Sequence, residues 1–280
     1  MRIGIVAPSC TLDPTIPARL GALIADHFAS QAPAIIFHPQ CFLSEGHFAG
    51  PDDARAQAII EYANDPDLDA IWFARGGYGA CRIATTVLGK LGPSAREKLY
   101  LGYSDAGFLL AGLYAKSIGR VAHGPMPADI HRTGGEVAVL RALGWMINPE
   151  ASKGAKGSDQ PPVQVSAGRS KLAAFNLTVL SQLLGTPLEP DLTDHILIIE
   201  EVAEYMYRID RSLFHITNNP NIRKVAGIKL GRCSQIPDND PDFILDEKQI
   251  VEHWCQTASI PYLGRADIGH DIDNKIVAFG

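Results

Sequence analysis

The sequence predicts two α/β units: a larger N-terminal one on a mostly parallel sheet, and a smaller C-terminal one of α+β character. Three observations carry that expectation. Short apolar runs alternate with helical stretches across residues 1–147, the pattern of strands joined by helical crossovers. Residues 148–162 are rich in Pro, Gly, Lys, Ser and Asp and lack apolar periodicity, which marks a linker before a second domain at 163–280. A chain of 280 residues, 46% hydrophobic and 20% charged, is long and apolar enough for two packed cores.

The elements follow in order. Residues 2–7 form an apolar strand broken by Pro8, and 17–28 carry helical periodicity. A second strand covers 34–38. The helix at 52–63 opens with Asp52 and Asp53, where the positive helix end favours acid. Residues 69–74 (DAIWFA) read as a buried strand, 80–88 as a helix, 98–101 as a strand and 108–115 as an apolar helix. A fifth strand at 120–123 and a helix at 136–147 complete the first unit. In the second, helices are expected at 172–184, ended by Gly185-Thr186-Pro187, and at 247–257. Strands are expected at 195–199, 225–230 and 275–279. Ligands of such parallel sheets collect beyond the carboxyl ends of the strands. That rule brings Pro8-Ser9, the 75–79 segment, the 104–107 segment and His123-Gly124 to one edge.

Bulk properties remove several function classes. A net charge of −6 without a Lys/Arg cluster argues against a nucleic-acid partner. No apolar run approaches the roughly 18 residues of a membrane span, and the opening MRIGIVAPSC lacks the long apolar core of a secretory signal. Five widely spaced cysteines (10, 41, 81, 233 and 255) without a C-x-x-C point to reduced thiols and a cytoplasmic chain. None of the nine histidines sits in a metal-ligand spacing, so metal-free, cofactor-free chemistry is expected.

Gly102-Tyr103-Ser104-Asp105-Ala106-Gly107 lies where a strand turns into a helix, a place that exposes a serine nucleophile beside helix amides. Ser104 or Asp105 could equally be a helix cap there. Arg75-Gly76-Gly77-Tyr78-Gly79 follows the third strand without the spacing of a dinucleotide fingerprint. Its amides suit an anion or oxyanion beside a serine, or simply a tight turn. Glu200, Glu201 and Glu204 close the strand HILII, where a carboxylate could orient a histidine or pair with Arg208 or Arg211. His123 and His270 both qualify as a base, and spacing does not choose between them. Cys81, after the glycine loop, has no evident base and reads as a small helix residue.

Taken together and in order, Ile5-Val6-Ala7-Pro8-Ser9, RGGYG at 75–79, GYSD at 102–105, the strand ending at Glu200, YRIDR at 207–211 and Gly269-His270 resemble the LD-carboxypeptidases, the S66 family of serine peptidases. That family also includes microcin C immunity-type hydrolases. The resemblance spans nearly the whole chain. It implies a flavodoxin-like or Rossmann-like N-terminal domain and a C-terminal domain with a β-rich, barrel-like core. It also implies a triad of Ser104, Glu200 and His270, with an oxyanion hole from the backbone amides of Gly77 and Asp105. Arg75, Gly76 and Tyr78 then fall in the substrate site, Arg75 as candidate for the terminal carboxylate. The activity implied is release of a terminal D-amino acid, typically D-alanine, from cytoplasmic murein tetrapeptide during peptidoglycan recycling, by an enzyme that is commonly a homodimer. Asp271 departs from the family's usual Gly-His-Gly, Asn274 matches a common asparagine, and the end at Gly280 suggests a trimmed C-terminal domain. No tryptophan-bearing insertion of the microcin-immunity kind is present, which favours the murein peptidase. Outside this class, a non-catalytic α/β protein holding an anion on the glycine loop is the alternative.

Overall fold

A computed structural model describes residues 1–28, 31–149 and 171–280; the expected linker lies outside them apart from Asn148 and Pro149. The first unit runs β1 (Arg2–Val6), α1 (Ile16–Phe28), β2 (Ala34–Phe37), α2 (Asp52–Asn64), β3 (Ala70–Phe73), α3 (Ala80–Leu88), β4 (Leu99–Gly102), α4 (Gly107–Ala115), β5 (Arg120–His123) and α5 (Gly135–Ile147). Its strands lie in the order β2-β1-β3-β4-β5, all parallel, which is the flavodoxin-like arrangement. The order reverses between β1 and β3. Loops leaving those two strands part there and open a crevice, and the glycine loop after β3 lines it.

Side-chain alternation along the strands feeds two layers. Ile3, Ile5, Trp72 and Leu101 face α1 and α5. Ile71, Phe73 and Tyr100 face α2, α3 and α4. This second layer does not stop at α4. It continues without a break into Phe175, Leu180, Leu197, Ile199 and Leu213 of the second unit. The helix α4 is apolar on every side because it is buried between the first sheet and the helix Leu177–Leu183 of the second unit. Close approach is built in: a Cβ on Gly107 would stand 3.0 Å from Val179.

The second unit runs β6 (Lys171–Asn176), α6 (Leu177–Leu183), β7 (His195–Val202), α7 (Met206–Asn218), β8 (Gly227–Ser234), α8 (Glu247–Ala258) and β9 (Tyr262–Arg265). Its four strands pair in sequence order and all in parallel, as an open sheet. The α/β class holds, while the smaller unit's sheet is open and wholly parallel where an α+β, barrel-like core was expected. The cause is the three helices α6, α7 and α8, which return the chain to the same end of the sheet each time. The helix expected at 172–184 divides at Asn176. Residues 171–176 pair with β7 along their whole length, and Asn176 caps the following helix by accepting from Val179 N at 3.1 Å. The last strand, β10 (Val277–Ala278), leaves this unit and adds antiparallel to β5 of the first sheet.

Candidate active site

The site begins with backbone geometry. Beyond β4, Ser104 opens a 3₁₀ turn (Ser104–Ala106) at φ 58°, a left-handed value that costs a non-glycine residue roughly 1–2 kcal/mol. It does not cap α4, whose first turn has no side-chain cap. Asp105, almost wholly buried, turns its carboxylate sideways to accept from Ala80 N at 2.8 Å and from Ser9 Oγ. Burial pushes its pKa up, against the pull of those donors. One carboxylate thus ties the serine turn to the loop after β1 and to the start of α3.

The glycine loop packs directly on that turn. A Cβ on Gly76 would lie 2.8 Å from Ser104 Oγ, so nothing larger than glycine fits. Gly77 has φ 128°, and a side chain there would run into Cys10 Sγ. Arg55, fully buried on α2, fastens the loop from behind: it donates through Nη1 to Gly79 O at 3.0 Å and to Pro8 O, and pairs with Asp52. Arg75 spends Nη1 on Thr11 O at 3.1 Å, and Tyr78 stands half exposed at the rim near Phe48.

The second sheet contributes buried side chains instead. The β7–β8 register shifts between Ile199 and Glu201, and the bulge re-aims Glu200. Room for it comes from Gly231 on β8, where a Cβ would stand 3.0 Å from that of Glu200. Fully buried, Glu200 accepts through Oε2 from His270 Nδ1 at 2.6 Å. Its neighbour Glu201 serves another purpose: it accepts from Asn176 Nδ2, Thr178 Oγ1 and Thr178 N, completing the exposed amides at the start of α6. His270 is 8% exposed, and its Nε2 has no hydrogen-bond partner. Burial draws the His270 pKa down, but the Glu200 charge and hydrogen bond outweigh it, and the net shift is upward.

The loop bearing His270 is clamped by Arg232, which holds Asp271 (Nη2 to Oδ1, 2.7 Å) and Asp267. Asn274 accepts from Gly269 N at 3.3 Å. Asp271, the departure from the family's glycine, is therefore an anchor of the histidine loop. His123 lies deeper, with Nε2 3.3 Å from Asn274 Oδ1, and burial holds its pKa near 4, so it is neutral over the working range of most enzymes. Unlike His270, it lines neither cleft described next.

Two clefts meet at Ser104 and Gly77. One, of about 360 Å³, contains His270, Arg75, Gly76, Tyr103, His131 and Arg132. The other, of about 540 Å³, contains Tyr78, Asp105, Phe108, Asn176, Gln182 and Glu204. Cys81 borders the second, and burial followed by the Asp105 charge raises its pKa away from the reactive thiolate. Among the described residues no cluster of His, Cys, Asp and Glu is arranged to hold a metal ion, and no helix is long and apolar enough to cross a membrane.

This arrangement can be compared with known proteins. Residues 3–124 match the LD-carboxypeptidase N-terminal domain and residues 169–280 the LD-carboxypeptidase C-terminal domain. The chain belongs to the S66 LD-carboxypeptidases. It is thereby an enzyme of the serine carboxypeptidase type. Among relatives, a Synechocystis sp. protein named as a carboxypeptidase, slr1534, is 29% identical over 100% of this chain and 89% of its own length. The murein tetrapeptide carboxypeptidase of Pseudomonas aeruginosa is 25% identical over 84% of this chain and 78% of its own. The crystal structure of muramoyltetrapeptide carboxypeptidase from Oxalobacter formigenes superposes with a TM-score of 0.78 at 23% identity, covering 100% of this chain and 93% of that one. MccF in complex with glutamyl sulfamoyl guanosine gives 0.73 at 18%, covering 99% and 95%. At these identities the two structures speak for the fold alone.

Within this S66 chain, Ser104 and His270 share a cleft and His270 bonds to Glu200. The backbones of Gly77 and Asp105 flank Ser104, and Gly76 touches it. The YRIDR segment stays apart from them: it lies on α7, where Asp210 accepts from Trp254 Nε1 at 2.9 Å. Sequence reasoning missed the Asp105 carboxylate, Arg55, Gly231 and Arg132. Of these, only Arg55 left a trace, as an arginine three residues after Asp52 on an expected helix.

Proposed function

We propose that this enzyme hydrolyses the amide between an L-centre and a terminal D-alanine in murein tetrapeptide, releasing tripeptide and D-alanine in cytoplasmic peptidoglycan recycling, as a homodimer of two-domain chains (1–147 and 163–280). The observation that carries the reading is the 2.6 Å His270–Glu200 hydrogen bond, which leaves Nε2 without a partner on a residue that lines the cleft of Ser104. His270 Nε2 takes the Ser104 proton while Oγ bonds to the carbonyl carbon. Glu200 holds the ring so that Nδ1–H faces inward and stabilises the imidazolium that forms. The amides of Gly77 and Asp105 receive the oxyanion. The C–N bond then breaks, His270 gives its proton to the leaving amine, and water cleaves the acyl-serine by the same route in reverse.

The cysteines at positions 10, 41, 81, 233 and 255 are all free of disulfides, which agrees with a reducing compartment. A microcin-immunity activity on aminoacyl nucleotides is the second reading, favoured by the fold likeness to MccF. Against it, Trp72 and Trp145 are buried and Trp254 is bonded to Asp210, so no tryptophan borders either cleft. Incubation with purified murein tetrapeptide decides: tripeptide and free D-alanine are expected by mass spectrometry, and an intact peptide with well-folded enzyme contradicts the reading. Parallel incubation with an aminoacyl sulfamoyl adenosine tests the second.

A further inference from the structure

Serine hydrolysis fixes a direction on the two clefts. The histidine that deprotonates the serine must later protonate the leaving nitrogen, so the leaving group lies on the histidine's side. Here that side is the smaller cleft. A carboxypeptidase's leaving group ends in a free carboxylate, which needs a cation within reach of that cleft. The charges of the two clefts are opposite. The larger is bordered by Glu201 and Glu204 and by no Lys or Arg, and so disfavours an anion. The smaller is bordered by Arg75, Arg132 and His131 against a single carboxylate, Asp129.

The two arginines are not equivalent. Arg75 donates from Nη1 to Thr11 O and from Nε to Gly76 O, so it is turned toward the main chain. Arg132 donates from Nε to Asp129 Oδ1 at 3.0 Å and lies beside Tyr103. Asp129 is itself buried and fixed by Tyr103 OH and Met126 N, each at 2.8 Å. Among the described residues no other ion pair engages Arg132, and its two terminal nitrogens remain for a ligand. Tyr103, which supports Asp129, also packs at a tilt against His270, ring centres 4.8 Å apart, so the guanidinium and the general base are positioned by one ring. We propose that Arg132 binds the free carboxylate of the leaving amino acid through its terminal nitrogens, and that this contact confines the enzyme to the last peptide bond. The inference rests on the serine-hydrolase reading above and replaces Arg75 in the carboxylate role.

The test compares L,D-tetrapeptide ending in D-alanine with the same peptide ending in D-alaninamide. Wild type should prefer the free acid, and Arg132→Gln should lower that acid-to-amide ratio of kcat/KM by about 10–100-fold, the worth of a charge-assisted hydrogen-bonded pair. Most of the loss should appear in KM. Arg132→Lys should recover part of the ratio, which loss of a merely structural residue would not allow, and Arg75→Gln should keep it. Wild type that cleaves acid and amide equally would overturn the proposal while leaving serine hydrolysis intact. So would a ratio that collapses in Arg75→Gln and survives in Arg132→Gln. Wild type that cleaves neither peptide removes both this inference and the function it rests on.

Discussion

At the edge of the first sheet the site is made of backbone; at the edge of the second it is made of side chains. Ser104 at φ 58°, Gly77 at φ 128° and the amides around them are held in place by two buried polar groups, Asp105 and Arg55. Across the crevice, Glu200 and His270 are buried with one hydrogen bond between them. Amide donors carry no titrating proton, whereas a buried carboxylate–imidazole pair sets the pH at which a base is available. The two edges should therefore fail in different ways when altered.

The largest effect belongs to the second edge. Glu200→Gln should reduce kcat by about 10⁴-fold, the loss seen when a triad acid becomes an amide. The pH profile should move as well. The charge of Glu200 raises the His270 pKa, so removing it leaves burial unopposed and lowers that pKa. The acid limb of kcat/KM should then shift to lower pH, because His270 sheds its proton earlier. An unmoved limb in a folded variant would separate Glu200 from the base.

Next comes the first edge. Gly77→Ala should cost about 10²–10³-fold in kcat, as loss of an oxyanion donor does, because the side chain meets Cys10 and the φ is unfavourable. Its acid limb should stay where wild type has it, which is the contrast with Glu200→Gln. A smaller effect is expected for Asp105→Asn. The carboxamide oxygen can still accept from Ala80 N and Ser9 Oγ, which share one carboxylate oxygen, but it lacks the charge that strengthens both bonds, and about a tenfold fall in kcat is expected from a loosened glycine loop. Stopped-flow or steady-state kinetics over pH 5–9 would measure all three variants.

The first edge was largely legible in the sequence because it is local. Parallel strands buried on both faces read as continuous apolar runs, and a glycine cluster after one of them announces a loop that must approach something closely. The bond between Glu200 and His270 spans 70 residues, and no spacing rule connects them. Family resemblance supplied that pair; periodicity could not. Similar reasons hid β6, where LAAF is separated from the helix LTVLSQL by Asn176 alone, and only pairing with β7 makes it a strand. The α7 helix buries a narrow stripe, Ile209, Leu213 and Ile216, in an otherwise polar segment. Arg132 looked like any surface arginine, since its meaning depends on Asp129 being buried beneath it.

The proposed chemistry requires a nucleophile from one sheet to be driven by a base from the other. Labelling with a serine-reactive fluorophosphonate, followed by peptide mass spectrometry, tests that directly. The adduct should form on Ser104 in the wild type, vanish in Ser104→Ala, and form far more slowly in His270→Ala and Glu200→Gln. Labelling of another residue, or of Ser104 at an unchanged rate without His270, would contradict it.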